Sequence, residues 1–180
     1  MSSARREPSN QEAFAYPAGR GIRLAVENFW RGPGCHAADI RAVLGVVPTG
    51  PGEMSLYVAR HKGQPSHHIE RLALRLDGFA SVRASYAGGE MLTRPLTFSG
   101  RRLVLNCSTS AAGSVRVEIQ DVAGRAVAGR ALAESMPIIG DEIERTVAWK
   151  GGSDLGAWSG RLIRLRFVLK DADLYAIQFR

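Results

Sequence analysis

From Glu70 to Arg180 the chain is a train of short segments in which apolar and polar residues alternate, each interrupted by Gly, Asp or Ser. LVLNCS (103–108), SVRVEIQD (114–121), RLIRLRFVL (161–169) and LYAIQF (174–179) all switch character with period two. That period sends successive side chains to opposite faces of an extended chain, so it predicts half-buried strands. Further strands are expected at 69–76, 79–86, 91–98, 126–133 and 143–149. Turn signals recur between them at the spacing of an antiparallel β-sandwich. No segment carries a helical period, and GGSDLGAWSG (151–160) has room for one helical turn at most.

The interruptions carry their own geometry. SAAGS (110–114) reads as a chain reversal, as does DVAGRAV (121–127), with Gly124 free to adopt positive φ. Arg94-Pro95 suggests an edge or bulge, because proline cannot donate to a ladder. In 161–169, Ile163, Leu165, Phe167 and Leu169 share one face, which marks it as the inner one. Upstream, RAVLGVV (41–47) and EMSLYVAR (53–60) read as a hairpin closed by PTGPG (48–52). HKGQPSHH (61–68) is a polar connector, and residues 1–20 are expected to be loose.

A chain of 180 residues holds one domain and a small appendage. Lys and Arg exceed Asp and Glu by 24 − 17 = +7. Those charges alternate with apolar residues along the strands instead of forming a run, so they predict a solvated sheet face and no nucleic-acid footprint. Cys35 and Cys107 fit neither a disulfide framework nor a metal motif. Cys107 is in phase with Leu103 and Leu105, as a small buried residue would be. MSSARREPSNQ lacks an apolar stretch, which predicts a cytoplasmic chain without a secretion signal or membrane span.

Chemistry-bearing residues are sparse. Asp77-Gly78 is a turn pair, and Glu118 lies mid-strand beside Arg116 and Gln120, in position for a cross-strand ion pair. Asp141, Glu142, Asp171 and Asp173 are loop carboxylates that could gather around calcium, but no calcium-loop spacing is present, and turn and cap roles are expected. His36, His61, His67 and His68 lack zinc-ligand spacing, and no serine sits in a nucleophile elbow. No metal or cofactor is expected. Trp30, Tyr86, Trp149 and Trp158 are the candidates for contact with carbohydrate, since flat aromatic faces stack on the apolar faces of sugars.

RLALRLDGFASV, GGEMLTRPLTFSGRRLVLN, SVRVEIQDVAGRAVAGRAL, GDEIERTVAWKGGSDL and GRLIRLRFVLKDADLYAIQF together resemble the C-terminal β-sandwich of bacterial proteins related to glycoside hydrolase families 32 and 43. In that family a five-bladed β-propeller carries catalysis and the sandwich follows it. EAFAYP, PTGPGEMSLYVAR and the hairpin at 41–60 resemble the last part of the propeller. The resemblance spans about residues 12–180 and is strongest from Arg71. It places the catalytic carboxylates on early blades, for which there is no room before Glu53, so no catalytic residue carries over.

The combined expectation is an all-β chain: a loose segment at 1–20, a propeller-like hairpin at 21–62, and a jelly-roll β-sandwich at 69–180. Its expected role is a non-catalytic accessory module that packs against a catalytic propeller, with carbohydrate as a further contact. An exposed apolar patch near 41–60 should mark the packing surface. The alternative is a free-standing carbohydrate-binding module. The remaining reading, a glycosidase in its own right, needs two carboxylates in one cleft, and Glu118 with Asp141 or Asp77 are the pairs to examine.

Overall fold

The computed structural model describes residues 14–15, 22–26 and 41–180, with side chains from residue 45 onward. These residues are all-β, in two antiparallel sheets, an architecture consistent with a β-sandwich. The strands are β1 (Phe14–Ala15), β2 (Ile22–Val26), β3 (Arg41–Gly50), β4 (Glu53–Arg60), β5 (His68–Arg75), β6 (Ala80–Ala84), β7 (Gly89–Thr93), β8 (Leu103–Gln120), β9 (Asp141–Thr146) and β10 (Arg164–Phe179). Two single-turn 3-10 helices, Leu132–Glu134 and Gly156–Trp158, interrupt them. The chain divides into two compact units, one built on Val82–Arg180 and one within Leu24–Ser81. The expected loose segment 1–20 lies outside the described residues apart from β1, as do EAFAYP beyond that strand, Cys35 and His36.

The larger unit is organised by one long ribbon. β8 and β10 pair from Arg164↔Gln120 to Lys170↔Ser114, and again from Ala172↔Thr109 to Phe179↔Leu103. The reversal expected at 110–114 is absent. Residues 110–113 instead stand opposite Asp171 as a bulge in a continuous strand. The physical reason is that the extra residues of β8 bulge out opposite Asp171, and pairing resumes beyond them in a shifted register. The inward phase survives the bulge: Leu103, Leu105, Cys107, Val115, Val117 and Ile119 are all fully buried. Leu165, Phe167 and Leu169 answer them from β10, as the alternation in 161–169 predicts. Full burial of one such side chain is worth roughly 1.5–3 kcal/mol.

β7 and β6 pair with β10, and β9 pairs with the first half of β8. The second half of β8 is not edged by a strand at 126–133, where one is expected. Val127 and Arg130 exchange backbone hydrogen bonds with Ile119, Ile138 exchanges a pair with Val115, and between them the Ser135 hydroxyl accepts from the Val117 N–H at 3.0 Å. A side chain thus replaces a ladder carbonyl and leaves no open donor there. The turn into this segment follows its sequence: Asp121 Oδ1 accepts from the Ala123 and Arg125 N–H groups, and Gly124 has φ 82°. β7 ends at Thr93, before Arg94-Pro95, and pairing resumes only at Leu96, which bridges to Ile163.

The smaller unit holds a three-stranded meander, β3-β4-β5. The segment expected to open the sandwich at 69 pairs instead along β4, from Glu53↔Arg75 to Arg60↔His68. A short polar connector returns the chain to the nearest free edge, which is β4 itself. One face carries Met54 and Val58, both buried, with Leu56, Leu72 and Leu74 beside them. The other carries a polar group in which Arg71 donates to Ser55 and Glu53, and Thr49 bonds both of those residues. Val46 and Val47 are 42% and 43% exposed and, as successive strand residues, open on opposite faces; the side chains of 41–44, part of the expected patch, lie outside the described ones. Asp77, at φ 56°, turns the chain after β5, as the Asp-Gly pair predicts.

Candidate functional site

The aromatic candidates have distinct environments. Trp149 is 2% exposed and belongs to the core, its indole N–H donated to the Val117 carbonyl at 2.9 Å. It presents no face to a ligand, which corrects its assignment as a sugar contact. The correction has a simple cause: an indole has one polar atom, and here a strand carbonyl takes it. Trp158 is half-buried against the same core. The Arg130 guanidinium lies 5.2 Å from the Trp149 ring centroid and 5.0 Å from that of Trp158, so it covers both indoles. Arg130 is anchored there by donating to the Gly129 and Asp154 carbonyls at 2.7 and 2.6 Å. Trp30 lies outside the described residues.

Tyr86 differs. It is 63% exposed, in the turn between β6 and β7, with the Lys170 ammonium 4.2 Å from its ring centroid. The turn is held by Ser85, whose carbonyl accepts from both Gly88 and Asp171. Of the aromatic candidates with described side chains, Tyr86 is the exposed one, with Lys170 over one face of its ring.

Among the described residues, the carboxylates named for an acid pair lie on separate elements. Glu118 is 7% exposed and saturated with donors: Gln120 Nε2 at 2.6 Å, the Leu132 N–H at 2.9 Å and Arg166 Nη1 at 3.4 Å. Burial pushes its carboxyl up, but the bonds from Gln120, Leu132 and Arg166 together hold it below the ordinary glutamate range. Arg166 also donates to Glu90 at 2.6 and 3.2 Å, giving a Glu118–Arg166–Glu90 chain across three strands. Asp141 pairs with Ser108 on the far side of the β8 bulge from Glu118, and Asp77 is a turn residue of the other unit. Neither proposed pairing with Glu118 shares its strand environment.

A shallow depression of about 470 Å³ is lined by Gly100, Arg101, Asp154, Gly156, Ala157 and Ser159. Its carboxylate, Asp154, receives Arg101 Nη2 at 2.5 Å, Arg101 Nε at 3.2 Å and the Gly156 N–H at 2.9 Å. Those bonds, led by the Arg101 side chain, lower its carboxyl to about 2. A group so acidic is an anion at neutral pH and cannot donate a proton to a leaving group.

Among the described residues, no group of three or more His, Cys, Asp or Glu gathers as a metal site. Asp141 and Glu142 lie on β9, whereas Asp171 and Asp173 lie on β10, with β8 between. Glu142 is paired with Arg145 at 2.8 Å, and Asp173 faces Arg83 at 3.8 Å. Cys107 is fully buried, as its phase predicts. Arginine charge is dispersed over ion pairs such as Arg60–Glu70, Arg125–Asp121 and Arg180–Glu144. Among the described residues no helix is long and apolar enough to cross a membrane.

One arrangement was not anticipated. His61 and His68, which lack any motif spacing, are brought side by side by the β4–β5 hairpin, their ring centroids 5.6 Å apart. The usable signal was their placement at the two ends of a polar connector between strands. In comparisons with known proteins, no family model matches this chain, and no curated protein or solved structure matches it either.

Proposed function

We propose that this chain is a non-catalytic β-sandwich module of jelly-roll type, an accessory to a glycoside-hydrolase-like β-propeller related to families 32 and 43. In this reading the β3–β4 hairpin is the remnant of a propeller blade, and the module packs against and stabilises the propeller. The observation that carries the non-catalytic half is Asp154. It is the carboxylate of the surface depression, and Arg101 holds it as a permanent anion without a second acid in the lining. Glycoside hydrolysis requires two carboxyl groups across one bond, one of them able to protonate the leaving group.

The test has two parts. Purified chain incubated with a panel of aryl glycosides should release no aglycone, and turnover that disappears in Asp154→Asn or Glu118→Gln would overturn the reading. Added to a five-bladed family 32 or 43 propeller lacking its own sandwich, the chain should raise the propeller's thermal midpoint; an unchanged midpoint defeats the accessory role.

A second reading, a free-standing carbohydrate-binding module, is favoured by Tyr86, whose exposed ring lies beside the Lys170 ammonium. Glycan-array binding that is lost in Tyr86→Ala supports it, and binding that survives this change counts against it.

A further inference from the structure

The connector between β4 and β5 sets two imidazoles against each other. His61 directly follows β4, and His68 opens β5 opposite Arg60. The rings stand edge to face at a centroid separation of 5.6 Å, and both residues are exposed. Ser66 orients the pair: its carbonyl oxygen is 3.0 Å from His68 Nδ1, and its hydroxyl is 2.9 Å from His61 Nδ1.

The carbonyl can only accept, so His68 donates from Nδ1, and in the neutral ring Nε2 is the nitrogen with the lone pair. The hydroxyl can accept from His61 in the same way, leaving the second Nε2 basic. A donated Nδ1–H that fixes tautomer and ring orientation is the usual support of an imidazole metal ligand. At metal–nitrogen bonds of about 2.0–2.1 Å, two imidazoles on one ion have centroids roughly 5 Å apart. The observed centroid separation of 5.6 Å is close to that value, and both side chains are exposed and able to reorient.

The loop is already shaped for this. The Gln64 N–H donates to the His61 carbonyl and the His67 N–H to the Gln64 carbonyl, both at 3.0 Å. His61 sits at φ 51°, a region that histidine enters more readily than most residues, and Gly63 takes φ 82°. The charge of Arg60, the cross-strand neighbour of His68, is offset by Glu70 at 2.6 Å. Lys62 is exposed in the same loop.

We propose that His61 and His68 form a two-imidazole site for a divalent transition-metal ion of the copper(II), nickel(II) or zinc(II) class, with water completing its coordination. Imidazole suits these ions, whereas calcium and magnesium require oxygen ligands. Because no third His, Cys, Asp or Glu joins the pair among the described residues, the ion is exchangeable and is not a structural staple. The site lies within the smaller unit and does not depend on the accessory role.

Titration of the ¹⁵N-labelled full chain with copper(II) sulfate should broaden the NMR signals of His61, His68 and the residues between them before any others. In calorimetry with nickel(II) chloride, His61→Ala and His68→Ala should each weaken binding roughly tenfold or more, since removing a group that merely orients a metal ligand already has about that effect. His67→Ala should bind as the parent does, and unchanged amide spectra elsewhere verify that each variant is folded. Broadening centred elsewhere overturns the site. So does nickel affinity that is unchanged in the double variant, or lost equally in His67→Ala.

Discussion

A Cβ on Gly113 would lie 2.4 Å from the carbonyl oxygen of Asp171 and 2.7 Å from that of Lys170. Both obstacles are backbone, so neither can rotate away. This approach is what allows β8 and β10 to run past their paired interruptions as one bulged ribbon, with Asp171 accommodated at φ 43°. Glycine is required here by contact, whereas at Gly124 it is favoured by the backbone angle.

Gly113→Ala should therefore destabilise the fold by about 1–3 kcal/mol, the range for forcing atoms into filled space. Urea denaturation should show a lower midpoint with an unchanged slope, the sign of altered stability without an altered unfolded state. A midpoint equal to that of the parent would mean the bulge yields freely.

Replacing Trp149 by phenylalanine keeps most of the ring and removes its N–H. The Val117 carbonyl then loses a buried partner, at a cost of about 1–3 kcal/mol. Trp149→Ala should cost about 3–5 kcal/mol through the cavity it leaves. Thermal melts check both. A Trp149→Phe protein as stable as the parent would undo the assignment of this indole to the core.

Glu118 links stability to acid. Its folded carboxyl titrates below its ordinary value of 4.5, so its contribution is complete above that pH and is lost as pH falls through the lowered folded value. Urea midpoints measured from pH 7 down to 3 should fall for the parent and fall less steeply for Glu118→Gln. Glu118→Gln should also be less stable at neutral pH, because Arg166 and the Leu132 N–H lose a charged acceptor. Parallel pH profiles in the two proteins would remove Glu118 as the titrating group.

Asp154 should titrate at about 2 by carbon-13 NMR of its side-chain carboxyl. Arg101→Ala removes the leading cause and should move the midpoint up toward the usual aspartate range. Arg101 and Asp154 are 75% and 58% exposed, so added salt should shift the parent's midpoint in the same direction. An unmoved midpoint in Arg101→Ala would place the cause in the Gly156 N–H that donates to the carboxylate.

Much of the larger unit was legible because its signals are local. The phase of Leu103, Leu105 and Cys107, and of Ile163 through Leu169, predicts their burial, and Asp121-Gly124 and Asp77-Gly78 turn as their residues dictate. What misled were positions where a local signal had two readings. SAAGS and the Asp171 region both resemble reversals, and only their mutual opposition makes them a bulge. Trp149 reads both as a flat face for a sugar and, in phase with Ile143 and Val147 at a strand end, as core, and the Val117 carbonyl that takes its N–H belongs to the second reading. The His61–His68 pair was hidden because its spacing follows a hairpin, not a helix or a ligand motif.

Alternation along the chain by itself determined most of the strands, though not the one expected at 126–133, and in the second half of β8 and in β10 it chose the side that turns inward. Where each strand found its neighbour was decided only in the tertiary structure: β5 beside β4, β8 beside β10 for its whole length, and a serine hydroxyl where a ladder carbonyl was expected. The physical reason is that burial preference belongs to a single side chain, whereas hydrogen-bond pairing belongs to two segments. A segment read alone states its appetite for partners without naming them.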